Sequence, residues 1–314
     1  MKSILDNDPF GSYPIDSLLN VSATHRPKDF DEFWQHAYSE AVNLTPNPVV
    51  YDTGKRHKNW KVYDVSFQST HGITIWGWLL VPVDKPIRRA FIVGHGYAGR
   101  DGPDFDLPFD DGVIYFPCSR GISRSAAPPI SQEPYWHVLH DIDKKDRYII
   151  RGCVEDVWLS VSVIKQLYPD ITGGINLLGM SFSGGVGILA LAQDNRIAKA
   201  HFNVPTFGHH QLRLRIATHG SGKSIQDFYK REPIKLIRTL RYYDAAFAAA
   251  NVTVPVHFAL ALRDSVVTPP GQFAIYNEVQ SEKHLFVLEA GHDSYPSQAE
   301  QSRELIIALS DFFS

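Results

Sequence analysis

The run Ile175-Asn176-Leu177-Leu178-Gly179 passes through a turn at Ser181 into Gly184-Gly185, and no other stretch constrains the fold as tightly. The run is short, apolar and closed by glycine, so it reads as a buried strand rather than a helix. Residues 184–193 continue it as a helix. A strand that turns so sharply into a helix belongs to a sheet covered by helices. The rest of the chain repeats the pattern. Ala90–Gly94, Val113–Phe116, Ala200–Val204, Pro255–Leu262 and His284–Leu288 read as further short strands, with helical segments over 148–168, 206–250 and 297–313. Ahead of them Trp60–Gln68 alternates, Ile73–Val83 is apolar on both sides, and Thr70-His71-Gly72 turns between the two as a hairpin. The expected fold is α/β: a mainly parallel central sheet with an N-terminal antiparallel hairpin and helices on both faces. A single domain over residues 1–314 is expected, with an arm (1–25) and a helix that Pro27 opens and Thr45-Pro46-Asn47-Pro48 ends packed on it. The polar, Pro-rich stretch 123–147 reads as an excursion over the sheet.

In such sheets reacting groups sit in loops at the carboxyl ends of the strands. Four of those loops carry suggestive residues. Gly179-Met180-Ser181-Phe182-Ser183 matches the Gly-x-Ser-x-Gly elbow of an α/β hydrolase except at its last position, where Ser183 replaces glycine. Asp264 follows the Val256–Leu262 strand, and His292 follows Leu285–Leu288. Taken singly, Ser181 could be a helix cap, Asp264 a solvated aspartate and His292 one loop histidine among 14. Together they stand in the order Ser, Asp, His, with a strand before each, as a nucleophile, an orienting acid and a proton carrier would in this fold. The fourth loop, His95-Gly96-Tyr97, nominates the backbone N–H groups of Tyr97 and Phe182 as an oxyanion hole.

Composition narrows the partners. A net charge of −3 and a pI near 6.5 make no case for nucleic acid or an anionic membrane. No apolar run approaches the roughly 20 residues of a membrane helix. The start, Met1 to Asp8, lacks the basic flank and apolar run of a signal peptide, so a cytoplasmic location is expected. Cys118 and Cys153 are too few for a disulfide framework or zinc site and read as buried apolar fillers. Ala217–Ser224 resembles a phosphate loop but lacks the preceding strand, so Gly220-Ser221-Gly222 reads as a flexible turn. His209-His210 reads as a polar loop without metal-ligand spacing. Neither a metal nor another cofactor is expected.

From about Phe30 onward the chain resembles the acetyl xylan esterases and cephalosporin C deacetylases. The likeness runs through Phe33-Trp34, Tyr63–Phe67, Ile75–Pro82, His95-Gly96-Tyr97, Arg120-Gly121, Arg238–Asp244, Asp264 with Pro269-Pro270, and Gly291-His292. The family's signatures Arg-Gly-Gln, Gly-x-Ser-Gln-Gly and His-Glu read here Arg120-Gly121-Ile122, Gly179-Met180-Ser181-Phe182-Ser183 and His292-Asp293. The resemblance implies a cofactor-free serine esterase that removes acetyl groups from a carbohydrate or similar hydroxylated substrate. It also implies that Arg120 and Asp293 brace the site, where they could pair, and that homo-oligomers up to hexamers occur. Phe182 is expected to add bulk beside the nucleophile. An amide or peptide hydrolase on the same residues, with Glu133 or Asp141 holding a substrate amine, and a non-catalytic binding protein are the alternative readings.

Overall fold

The structure is a computed structural model that describes residues 3–314, so the arm is described from Ser3 onward. Its core is one nine-stranded sheet. The strands are β1 (Val49–His57), β2 (Trp60–Gln68), β3 (Thr74–Pro82), β4 (Arg89–Val93), β5 (Gly112–Pro117), β6 (Ile175–Met180), β7 (Ile197–Asn203), β8 (Val256–Ala261) and β9 (Lys283–Leu288), in the order β1-β2-β3-β5-β4-β6-β7-β8-β9. β1 to β3 are antiparallel, and β3 joins the rest through an antiparallel pairing with β5. From β5 to β9 every pairing is parallel. The fully buried strands β5 and β8 are apolar on both sides because helices cover both faces.

Among the described residues eleven α-helices surround the sheet: α1 (Ile15–Leu18), α2 (Phe30–Val42), α3 (Pro134–His137), α4 (Ile149–Leu167), α5 (Phe182–Leu191), α6 (His210–Arg213), α7 (Gly220–Arg231), α8 (Pro233–Leu240), α9 (Ala245–Ala249), α10 (Pro269–Glu278) and α11 (Gln298–Phe312). α2 packs its Phe30, Phe33, Trp34 and Ala37 face inward. Trp34 donates through Nε1 to the Tyr242 carbonyl at 2.8 Å, which ties the N-terminal helix to the segment ahead of α9. The arm is anchored too: Tyr13 and Leu18 are buried, and the Tyr13 amide donates to the Leu262 carbonyl at 2.8 Å.

β1 has no counterpart in the sequence reading. Eight of its nine residues are exposed, and its register with β2 shifts between Asp52 and Lys55. An edge strand exposed on both faces carries no hydrophobic alternation to reveal it. The Gly220-Ser221-Gly222 segment is the first turn of α7 rather than a flexible turn. His209-His210 is not a polar loop either: both side chains are buried, and their backbone N–H groups donate to Asp244 at 2.8 and 2.7 Å.

The chain enters the parallel region at β4, moves to β5 on one side, then crosses to β6 on the other. The order of strands therefore reverses at β4 and β6, and the crevice beyond their carboxyl ends is the place for a ligand. The loops that follow these two strands carry Tyr97 and Ser181.

Candidate active site

Ser181 sits between β6 and α5 with φ 52° and ψ −108°. A non-glycine residue there is strained by about 1–3 kcal/mol, a conformation the surroundings must impose. They do so through the backbone. The Ser181 N–H donates to the Asn203 carbonyl at 2.8 Å, and the Ser181 carbonyl accepts from Thr206 at 3.1 Å and Gly185 at 3.2 Å. Gly179 permits the close return of the chain, because a Cβ there would collide with the Ser183 and Gly184 backbone. Ser183, in the place of the usual glycine, turns its hydroxyl back under the elbow: Oγ accepts from the Met180 N–H at 2.9 Å and donates to the Met180 carbonyl at 3.1 Å.

The Ser181 hydroxyl lies 3.0 Å from His292 Nε2. His292 Nδ1 lies 3.0 and 2.8 Å from the two Asp264 oxygens. Asp264 is fully buried, and its Oδ1 accepts from the backbone N–H groups of Val266 and Val267, both at 2.9 Å. The local cap and the hold on His292 are thus one carboxylate. Gln272, also fully buried, donates to Asp264 Oδ2 at 3.2 Å and to the Val267 carbonyl at 2.6 Å, and its Oε1 accepts from Ala261 N–H at 3.0 Å. It ties the carboxylate to the end of β8. Gly291 is required beside it, since a Cβ would overlap the Asp264 carboxylate. With an acceptor on Nδ1, the neutral imidazole carries its proton there and offers a lone pair at Nε2 to the serine hydroxyl.

The His95-Gly96-Tyr97 loop lies against this row. A Cβ built on Gly96 would be 4.0 Å from the Ser181 Cβ. The Phe182 amide is in the first turn of α5, where N–H groups lack intrahelical partners and the helix dipole is positive. The Tyr97 ring packs 4.2 Å from the Phe182 ring. Phe182 is fully buried and turns inward against Tyr97, His95, His137 and Phe207, so its bulk lies behind the loop rather than beside the nucleophile. His95 clamps the loop: Nδ1 donates to the Gly96 carbonyl at 2.7 Å and Nε2 accepts from Ser119 N–H at 3.0 Å. Burial pushes its pKa down to about 4, so it is neutral at pH 7.

Arg120 and Asp293 do not pair. Arg120 is buried and forks onto Asp156 of α4, Nε to Oδ2 at 3.0 Å and Nη2 to Oδ1 at 2.7 Å, with Ser69 and Thr70 as further acceptors. The sequence reading missed Asp156, whose place on the buried face of a helix hides it among apolar residues. Arg120 reaches the site only through its carbonyl, which accepts from His137 Nε2 at 3.0 Å, while Nδ1 of that ring lies 3.3 Å from the Tyr97 hydroxyl. Asp293 instead accepts from the Ser265 N–H at 2.9 Å and hydroxyl at 2.6 Å, closing the loop after Asp264 onto the loop of His292.

The cleft above Ser181 has a volume of about 470 Å³ and is lined by Tyr97, Met180, Thr206, Ser221, Leu288 and Tyr295 among others, with Gln298, Ser302 and Leu305 of α11 on one side. Glu133 and Asp141 are not among its walls. Asp141 is engaged by Lys144 at 2.5 Å and Arg147 at 3.2 Å. Among the described residues no cluster of three His, Cys, Asp or Glu side chains is placed to hold a metal ion. No described helix is long and apolar enough to cross a membrane.

A curated relative, the acetyl esterase Axe7A of Xylanibacter ruminicola, is 19% identical over 295 residues, 84% of this chain, and this chain spans 63% of its length. Acetyl xylan esterase 1 from Thermoanaerobacterium sp. superposes with a TM-score of 0.79 at 19% identity, covering 95% of this chain and 99% of that one. The acetyl xylan esterase from Paenibacillus sp. R4 gives 0.80 at 20% identity, with 94% and 99% covered. An acylaminoacyl peptidase of Pyrococcus horikoshii shares the fold more distantly, at 0.62 and 15% identity over 82% of this chain and 42% of that one. The model of one family, acetyl xylan esterase, matches residues 13–307. With the match spanning nearly the whole chain, the protein belongs to the acetyl xylan esterase family of carboxylic ester hydrolases and has the α/β-hydrolase fold.

Proposed function

We propose that the protein is a serine esterase that hydrolyses short-chain acyl esters, foremost acetyl esters of a carbohydrate or similar hydroxylated substrate. The observation that carries this reading is the continuous row from Ser181 through His292 to the buried Asp264. Ser181 Oγ attacks the ester carbonyl while His292 Nε2 takes its proton. The tetrahedral oxyanion is held by the N–H groups of Tyr97 and Phe182. Losing one such donor costs about 3–4 kcal/mol of transition-state stabilisation in enzymes of this type. The imidazolium then protonates the leaving alcohol, which departs and leaves an acyl-enzyme. Water, deprotonated by His292, attacks that acyl group and releases the acid and free Ser181. Asp264 holds the ring and stabilises its transient charge. Arg120 and Asp293 act at one remove, the first behind the oxyanion loop and the second between the acid and histidine loops.

The test is turnover of 4-nitrophenyl acetate. The wild type is expected to cleave it, and Ser181→Ala to lose on the order of 10³-fold or more in kcat. Full activity in that variant overturns the assignment. A steep fall in rate from acetyl to butyryl and longer esters is expected in the same assay, and a preference for long chains rules out the short-acyl reading. Among acetylated sugars and simple acetyl esters matched for leaving group, faster turnover of the sugars supports the carbohydrate substrate.

A further inference from the structure

A second cleft, of about 790 Å³, is larger than the one above Ser181. It lies at the antiparallel edge of the sheet, between β1 and β3 and the segment Arg100–Phe105. Its charges are unbalanced. Arg124 forks onto Asp64 at 2.7 and 2.8 Å. Among the described residues Lys55, Arg56 and Arg100, which line the same cleft, have no carboxylate within ion-pair distance. Asp101 lines the cleft and Asp104 acts on Arg100 from beside it, so two acids face these three cations.

Arg100 is the most telling of them. Its guanidinium lies 4.6 Å over the Phe116 ring, touches the Gly94 and Gly102 carbonyls only at 3.3 and 3.5 Å, and has a buried Nε with no acceptor. Arginine does not shed its proton, so a half-desolvated, weakly satisfied guanidinium is best stabilised by an anion. Burial also pulls its pKa down, the direction expected of a cation short of countercharge. The walls add flat apolar surface. Trp78 lies 4.8 Å beneath the Arg124 guanidinium, and Phe105 stacks on His57 with centroids 4.0 Å apart. Aromatic faces joined to a few convergent polar groups are what a ring-shaped polar ligand requires.

One loop serves both clefts. Tyr97 and Ala98 line the cleft above Ser181, and Arg100 to Phe105 line the basic one. The Cα atoms of Ala98 and Arg100 are at most about 7 Å apart, so the walls of the two clefts begin on neighbouring residues of one loop. We propose that the basic cleft binds an acidic saccharide, a sugar chain bearing carboxylates, and so directs esters on acidic chains to Ser181. The carboxylate meets Arg100 and Arg56, and sugar rings lie across the wall formed by the Arg124–Trp78 and His57–Phe105 stacks. This rests on the carbohydrate-ester reading above for the choice of a sugar over other anions.

The experiment measures binding rather than turnover. Ser181→Ala protein is titrated calorimetrically with a xylo-oligosaccharide carrying a glucuronic acid branch and with the unbranched neutral chain of the same length, at low and high salt. The acidic chain is expected to bind about tenfold more tightly at low salt, with the advantage shrinking as salt is raised. Adding Lys55→Gln and Arg56→Gln is expected to weaken acidic binding about threefold to tenfold and leave neutral binding unchanged. Arg100→Gln should do the same; if it does not fold, the Lys55/Arg56 pair decides. In an otherwise wild-type background the Lys55→Gln/Arg56→Gln protein should cleave 4-nitrophenyl acetate at the unaltered rate. Equal binding of acidic and neutral chains, or indifference to these substitutions, overturns the proposal. Failure to cleave 4-nitrophenyl acetate, a substrate too small to reach the basic cleft, instead overturns the esterase reading.

Discussion

Two buried carboxylates support the site, and they are held in opposite ways. Asp264 is met by two backbone N–H groups, the Gln272 amide and the His292 imidazole. Asp156 is met by the fork of Arg120 and by the Ser69 hydroxyl. The charge of Asp156 is thus neutralised permanently, since arginine stays protonated. The charge of Asp264 is solvated by dipoles but left without a fixed cation. In the proposed mechanism His292 becomes an imidazolium, and Asp264 then has charge available to stabilise it whereas Asp156 has none. Burial of an acid near a site therefore does not itself assign it to the chemistry. What matters is whether a countercharge is already present.

Asp264→Asn puts that contrast to its hardest test. The amide oxygen can keep the N–H groups of Val266 and Val267, so the loop should hold its shape. Its nitrogen then faces His292 Nδ1 and demands a lone pair there. The ring must carry its proton on Nε2, where it can no longer accept from Ser181. In a comparable triad this tautomer change lowers kcat about 10⁴-fold. The expected result here is a loss of that order together with a measurable fall in stability, because the new NH2 also meets the Gln272 Nε2 donor that Asp264 Oδ2 accepts from. A loss below tenfold would place Asp264 with the framework, beside Asp156.

Arg120→Met is the mirror experiment. It leaves Asp156 buried without its cation and takes a partner from Glu155 and Thr70, whose own contacts continue to Arg151. Breaking a buried pair from one side costs about 3–5 kcal/mol. Chemical denaturation should report that loss, while kcat per folded molecule stays within about tenfold. A collapse of kcat without a stability change would mean that Arg120 acts on the reacting groups.

His137 joins the Arg120 network to Tyr97, and it sharpens the comparison through pH. Burial pushes its pKa down to about 4. The unfolded chain takes up a proton near 6.5 that the folded state refuses until about 4, so its contribution to stability is present above the unfolded value and lost as pH falls through this window. At 1.4 kcal/mol per unit, the wild type should lose about 2 kcal/mol between pH 7 and pH 5 through this residue. Gln at 137 does not titrate. His137→Gln should therefore show a flatter dependence of unfolding free energy on pH by about that amount. Parallel curves would mean that His137 is charged or solvated in the folded state.

The parallel region was legible because physics writes it into local patterns. Buried parallel strands are short apolar runs, and each proposed reacting group sits in the loop after one: Ser181 after β6, Asp264 after β8, His292 after β9. The hairpin of β2 and β3 was legible from alternation and its turn. What supports the site was not. Asp156 and Gln272 are polar residues on buried helix faces, and their partners lie 36 and 8 residues away across the fold. His95 and His137 are single histidines whose roles follow from burial alone. The thought that Arg120 and Asp293 could pair took two family positions as neighbours, whereas the chain puts one behind the His95-Gly96-Tyr97 loop and the other beside Ser265. β1 escaped because an exposed edge strand with a bulge has no buried face to set a period.

Ser183 separates pattern from geometry at the elbow itself. The sequence offers two serines two residues apart, and only the first faces His292. Ser183 Oγ is engaged by both backbone groups of Met180, and its Cβ fills the space that Gly94 leaves beneath the turn. It thus does by hydrogen bonding what the usual glycine does by absence, holding the first turn of α5 against β6. Ser183→Ala removes those bonds and leaves the Met180 groups to find other partners, at a cost of about 1 kcal/mol. Stability should fall by that amount and 4-nitrophenyl acetate turnover should stay within about threefold of wild type. Loss of turnover in Ser183→Ala, with Ser181→Ala still active, would move the nucleophile by two residues and undo the contrast between the two carboxylates, because Asp264 holds the histidine that faces Ser181.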